Sequence, residues 1–414
     1  DKELQAAVND AVRRILRVKF LLGLFDDPYA DPNSAEEVNR AQEHLDLSLE
    51  VAEETMVLLK NEKNILPLSK SDYKKIAVIG PHSNETHYGG YAHKDVSRGI
   101  TIYQGLKDYL GDDVEVTTAQ GCKIHGGSYH WLGFDDFELA NPEENRRMIE
   151  EAVKVAEDSE LVILAVGGTA VETGEFIGYR NELGLFGSQK KLVAAIMALN
   201  KPTIITLING RPYTIPDLHA QADAILEAWY PGEFAGVAIA NTLYGENNPS
   251  GKLTLSFPRM IGDLPVYYSK KESSSTKDYL AEDTKALYPF GYGLSYTSFE
   301  YSDFEIDKST ISEGGQVQVS GILRNTGDRA GEEIVQYYIR DRYSSASRPI
   351  KELKGFRKVS LEPGESKSVS WTLSIDDLRF YDHQMNYVVE PGRFEIMVGA
   401  SSEDIKFETS FTLE

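Results

Sequence analysis

The chain holds one cysteine, Cys122, in 414 residues. No disulfide can close within it and no cysteine-based zinc site can be built, so cysteine usage says nothing of compartment. Long apolar runs are also missing: none approaches the roughly 18 residues that span a bilayer. Cationic side chains are scarce, 43 Lys and Arg against 65 Asp and Glu, for a formal net charge of −22. Such a surface is repelled by phosphate backbones and anionic lipids, so neither nucleic acid nor a membrane is an expected partner. The start, DKELQ, has no initiator Met and no signal-like stretch, and it reads as the middle of a helix. The expectation is a piece of a longer protein, or a processed chain. Several catalytic signatures are absent: HExxH, GxSxG and GxGxxG do not occur. The SGK of NNPSGKLTLSFP lacks phosphate-loop spacing and leads toward a strand-like run. No cofactor motif is found, and five histidines (His82, His87, His93, His125, His130) fall in loops without metal-ligand spacing. They are expected to be solvent-exposed or ligand-contacting.

What is present is enough apolar sequence, 41%, to bury real cores, and 23 Tyr. Residues 3–24 carry apolar positions at helical spacing until Pro28 and Pro32 forbid continuation, and 35–60 reads as a second helix. So open a pair cannot cover its own apolar faces. From 74 to 257, short apolar runs (KKIAVIG, LVILAV, PTIITLI, AILEAWY, KLTLSF) alternate with helical patterns near 101–110, 142–158, 187–199 and 233–244. That predicts an α/β domain: a largely parallel sheet covered by helices on both faces. Residues 258–297 read as a linker or surface loop. Beyond 298, short alternating strands separated by NTGD, EPGES and EPG predict an immunoglobulin- or fibronectin-type β-sandwich.

One loop stands out chemically. LVILAV runs into VGGTAVETGEFIGYRNEL, which places Glu172 and Glu175 among glycines, with Arg180 nearby. A glycine-bearing loop at the carboxyl end of a buried strand can carry a carboxyl group into a neighbouring cleft, and Phe176 and Ile177 beside Glu175 suit a general acid of raised pKa. The plainer reading, preferred on these residues alone, is a solvated acidic loop in which Arg180 is a surface ion-pair partner. GGYAHKD places Tyr91 on a glycine-rich loop, either as a platform for a sugar face or as a packed strand-exit ring. The residues offer one acid and no partner for it, whereas glycoside hydrolysis needs two carboxyl groups.

Several segments together resemble glycoside hydrolase family 3, the β-glucosidase and β-xylosidase family. AVRRILRVKFLLGLFDDPY is similar to the last helix of that family's (β/α)8 barrel, and ETMVLLKNEKNILPL to its barrel-to-second-domain junction. IAVIGPHSN, TIITLINGRP, ILEAWYPGE, NPSGKLTLSFPR, DLPVYY and ALYPFGYGLSYTSFEYS follow in the family's order, and ELKGFRKVSLEPGES resembles its fibronectin-like domain. The resemblance implies a barrel helix over 1–30, a junction over 31–73, the α/β sandwich over 74–257, a connector over 258–297 and a fibronectin type III-like sandwich over 298–414. It implies a retaining, exo-acting β-glycosidase, with β-glucosidase preferred and β-xylosidase or a non-catalytic carbohydrate-binding module as alternatives. Its nucleophile is an Asp on a barrel that this chain lacks. Its acid/base falls on Glu175, with Glu172 as runner-up. Arg180 would hold the loop. Tyr179 and Phe186 depart from the Asp and Pro commoner at these places. Tyr91 and His93 would line the outer subsite. Expected partners are an oligosaccharide or β-glucoside and a barrel-bearing polypeptide. No cofactor is implied, a homodimer stays open, and a periplasmic or secreted location is preferred to a cytoplasmic one.

Overall fold

The computed structural model describes residues 1–92, 96–127, 138–173, 182–271, 285–312 and 314–414. It divides into two units, Asp1–Ser48 and Leu49–Glu414. The first unit carries α1 (Lys2–Leu21), α2 (Ser34–Val38) and the start of α3 (Gln42–Glu54). None of α1's residues is buried; Val8, Val12, Ile15 and Leu16 are all exposed. The second helix is shorter than its pattern suggests. It ends at Glu54, and β1 (Val57–Asn61) follows as a strand. Val57, Leu58, Leu59 and Lys60 are all buried. A short run buried on every side has no polar face, and periodicity cannot separate such a strand from a buried helix end.

The second unit continues with β2 (Lys75–Ile79), α4 (Ile102–Leu110), β3 (Glu115–Ala119), α5 (Pro142–Glu157) and β4 (Leu161–Gly167). Then come α6 (Ala170–Thr173), α7 (Gln189–Met197), β5 (Thr203–Ile208), α8 (Pro216–Gln221), β6 (Ala224–Trp229) and α9 (Ala235–Tyr244). The six strands form one sheet in the order β1-β6-β5-β4-β2-β3. All pairings are parallel except that of β1 with β6. Every residue of β4 and β5 is buried, as continuous apolar strands in a doubly covered sheet must be. Alternate side chains feed two cores. Val162, Leu164 and Val166 meet α5 and α7 on one face; Leu161, Ile163 and Ala165 meet α4 and α9 on the other.

KLTLSF, expected to close the sheet, is not one of its strands. Leu253 and Phe257 do enter the core, but Leu255 between them is 50% exposed. The segment pairs instead with 287–292, through Leu253 N to Tyr292 O and Phe257 N to Tyr288 O. The connector is therefore partly built in: Leu287 and Tyr288 are buried in the same core. The KKESSSTKD tract lies outside the described residues from 272 on.

The C-terminal strands are β7 (Phe299–Ile306), β8 (Thr310–Ile311), β9 (Gln316–Asn325), β10 (Gly331–Asp341), β11 (Glu352–Leu361), β12 (Ser366–Ser374), β13 (Phe380–Tyr381), β14 (Tyr387–Val388), β15 (Gly392–Gly399) and β16 (Ile405–Leu413). A five-stranded sheet, β11-β10-β15-β16-β8, faces a three-stranded one, β12-β9-β7. Alternating residues such as Val317, Val319 and Leu323 of β9 fill the core between them. The sandwich is joined to the α/β layer by polar contacts. Gln336 Nε2 donates to the Gly291 and Ala400 carbonyls at 3.0 and 2.7 Å, and Lys252 pairs with buried Glu333 at 3.4 Å.

Helices α4 and α9 cross where Gly105 meets Gly236. A Cβ on Gly236 would lie 2.0 Å from the Thr101 carbonyl oxygen. Gly236→Ala must push the helices apart and is expected to destabilise the protein by about 2 kcal/mol or more, read as a lower urea midpoint. An unchanged midpoint would show that the crossing yields without loss.

Candidate active site at the carboxyl edge of the sheet

β2 and β4 are neighbours, but the chain leaving β2 turns toward β3, on the side away from β4. Their carboxyl ends thus mark the switch point of the sheet, where open α/β folds form a crevice. Gly80 makes the exit from β2. Its φ is 127°, and a Cβ there would lie 2.0 Å from the Ala165 carbonyl oxygen. Above this point opens a cleft of about 900 Å³. Its walls come from residues 84–92 after β2, with Val96, Ser97, Gly99 and Thr101, from His125, and from Thr169, Ala170 and Val171 after β4.

Tyr91 lines this cleft and is 75% exposed. Two further lining residues, His87 and His125, come from the histidine-rich loops. Glu175, Tyr179 and Arg180 of the acidic loop lie outside the described residues, as do His93 and His130. Glu172 is described and is 2% exposed. Its Oε2 accepts from the Thr169 backbone N–H at 2.6 Å and from the Thr169 hydroxyl at 2.7 Å. The Thr169 hydroxyl in turn accepts from Val171 N at 3.2 Å. This reciprocal arrangement caps α6, and it follows from the spacing Thr-x-x-Glu in TAVE. The other carboxylate oxygen, Oε1, is buried with no hydrogen-bond partner among the described residues.

The two strands entering the edge are fixed by side chains that the sequence did not single out. Gln189, fully buried at the start of α7, accepts from Gly167 N at 2.9 Å and donates to Gly167 O at 2.8 Å and to Phe186 O at 3.1 Å. Tyr230 donates its hydroxyl to Gly168 O at 3.0 Å. Ser188, at the N-terminus of α7, makes no side-chain cap; its hydroxyl accepts from Asn145 Nδ2 at 3.2 Å. Glu227 of β6 is 0% exposed, and burial pushes its carboxyl well above the usual carboxylate range. It accepts from Trp229 N at 2.9 Å and Asn209 Nδ2 at 3.1 Å. The first bond supports Trp229 in the left-handed region, φ 56°.

His82 corrects the expectation of exposed or ligand-contacting loop histidines. It is 1% exposed, and neither ring nitrogen has a hydrogen-bond partner among the described residues. It packs edge-on against His87, ring centroids 4.5 Å apart at 87°. Burial drives the His82 imidazole well below its ordinary value. Burial, then repulsion from His125, pulls His87 from 6.5 down to about 4. Cys122 is buried, and burial alone pushes its thiol up to about 12, which leaves it unreactive.

The neutral His82–His87 pair makes stability fall in acid. Below 6.5 the unfolded chain takes up a proton that folded His87 refuses until about 4. Stability is thus level above that window and is lost as pH drops through it, by about 3 kcal/mol for His87. Denaturant midpoints from pH 7.5 to 4.5 should show a shallower fall in His87→Phe, which keeps a ring in place without a titrating group. An identical pH profile would contradict this assignment.

Comparison with known proteins follows the same lines. The glycosyl hydrolase family 3 C-terminal domain matches residues 56–296, and the fibronectin type III-like domain matches 333–402. A periplasmic β-glucosidase of Salmonella typhimurium is 39% identical over 100% of this chain and 56% of its own length. A β-xylosidase of Formosa agariphila is 40% identical over 97% of this chain and 55% of its own. Among solved structures, a β-glucosidase from Erythrobacter marinus superposes with a TM-score of 0.91 at 42% identity, covering 97% of this chain and 54% of that one. The β-glucosidase of Listeria innocua gives a TM-score of 0.82 at 33% identity, over 97% and 54%. The chain spans about half the length of the relatives it matches. With its switch-point sheet, its β-sandwich and this match, the chain belongs to glycoside hydrolase family 3, whose C-terminal α/β domain and fibronectin type III-like domain it carries.

Proposed function

We propose that this chain supplies the general acid/base of a retaining, exo-acting β-glucosidase, and that a (β/α)8 barrel outside this sequence supplies the Asp nucleophile. The observation that carries the reading is the cleft at the switch point, open beside the strand whose loop holds Glu175. Glu172, the runner-up on that loop, is committed to capping α6 and has no exposed oxygen lone pair to offer a sugar. That supports Glu175 as the residue that protonates the leaving oxygen and then activates water. The barrel Asp attacks the anomeric carbon, and retention requires the two carboxyl groups to be about 5–5.5 Å apart when the site is assembled. Tyr91, exposed on the cleft lip, suits an apolar sugar face at the aglycone side, with His93 as a second contact. Residues 1–30 are assigned to the barrel's last helix, 31–73 to the junction, 74–257 to the α/β domain, 258–297 to the connector and 298–414 to the fibronectin type III-like domain. The β-glucosidase relatives favour a β-glucoside substrate; the Formosa relative, a β-xylosidase at 40% identity against 39% for the Salmonella β-glucosidase, keeps β-xylosides as the second reading.

The chain alone should not hydrolyse aryl β-glucosides, and adding a barrel-bearing polypeptide should restore turnover. In that complex, Glu175→Gln should lose roughly 10²–10⁴-fold with a poor alkyl leaving group and far less with an activated aryl one, since only the former needs protonation. Equal losses on both substrates would point to Glu172 or to a structural role. No turnover with any barrel would leave a carbohydrate-binding module.

A further inference from the structure

The end of β4 raises a question that its strand neighbours do not answer. β2 pairs with β4 only as far as Leu164, three residues short of Gly167. β5 continues alongside, and Gly168 N donates to Ile208 O at 2.9 Å. In a strand, successive residues turn their amides to opposite neighbours, so the Gly167 amide faces the side that β2 has left. A side chain takes the place of the missing strand. The Gln189 carboxamide accepts from Gly167 N and donates to Gly167 O, as a strand neighbour would. Its remaining N–H donates to Phe186 O. One buried amide thus ties together the two ends of the segment that leaves β4 and returns to α7. Gly167 itself is irreplaceable in this scheme: φ is 150°, and a Cβ would lie 1.9 Å from Ile208 O.

We infer that Gln189 is a positioning residue for the general acid: by holding Gly167 and Phe186 to one carboxamide, it fixes the base from which the acid-bearing loop extends. The inference rests on the reading of Glu175 as that acid. Gln189 touches no substrate, and its action is through the backbone. Small misplacements of a reacting group reduce rate sharply, on the order of 10²-fold for about 1 Å.

Gln189→Glu separates positioning from bulk stability. An ionised carboxylate there faces two carbonyl oxygens and repels both, whereas a protonated one donates to one of them. In the barrel-containing enzyme, the variant should lose on the order of 10²-fold in kcat on an alkyl β-glucoside near neutral pH, with KM little changed. The loss on an activated aryl glucoside should be several-fold smaller, and the alkyl rate should recover as pH falls. Gln189→Met, uncharged and of similar length, should share the leaving-group selectivity without the acid recovery; it also stands in if Gln189→Glu does not fold. Hydrogen exchange on this chain should show faster exchange at Gly167 and Gly168 in both variants. Equal losses on both substrates with no acid recovery would reduce Gln189 to a structural residue and overturn the inference. Glu175→Gln, run in parallel, keeps the two ideas apart: if it shows no leaving-group selectivity, the assignment of the acid fails regardless of Gln189.

Discussion

The carboxyl edge of this domain depends on how one strand ends. β4 runs beyond its β2 neighbour into Gly167, a position where only glycine can stand, and its last amide is paired by a side chain. Because every residue of β4 is buried, its register is set by two cores at once. The cleft opens directly beyond it. Tyr230 on Gly168, the Thr169–Glu172 cap on α6 and Gln189 on Gly167 and Phe186 all act on the few residues flanking the loop that carries Glu175. For the acid/base role proposed for Glu175, such an anchor matters because the rate of a proton transfer depends steeply on where the acid is held.

Behind the cleft, burial disfavours the charged forms of the titratable groups. His82 and His87 are buried side by side, their imidazoles pulled down by burial, and burial pushes the Glu227 carboxyl up. Among the described residues none of them is paired with an opposite charge at hydrogen-bond distance, so burial is the largest cause of each shift. The consequence is a layer of low polarity under the cleft, and a protein that loses stability as pH falls through the window between His87's unfolded and folded values.

Much of the fold was legible in the sequence because it follows from periodicity. LVILAV, TIITLI and AILEAW are apolar without interruption and become the buried parallel strands; GQVQVSGILRN alternates and becomes a sandwich strand. Where pattern was ambiguous, tertiary context decided. Val57–Asn61 was read as a helix end because its apolar run is short and its burial cannot be seen in sequence, and KLTLSF was read as a strand although Leu255 is left exposed. The site was legible in part. Glycines after strands marked the edge, and Thr-x-x-Glu would have shown Glu172 to be a capping residue. Gln189, Tyr230 and Glu227 could not be found that way. Each acts across a gap of at least 18 residues or through a backbone atom, and neither leaves a local signature.

The division of labour between this chain and a barrel is the claim on which the functional account stands, and azide tests it most directly. In the barrel-containing complex, Glu175→Ala acting on an activated aryl β-glucoside should stall at the glycosyl-enzyme, which azide can attack without a general base. The account predicts rescue by azide with β-glucosyl azide as the product, because the barrel Asp still performs the first displacement. An α-glucosyl azide would mark Glu175 as the nucleophile, and no rescue would remove it from the chemistry; either result would contradict the account.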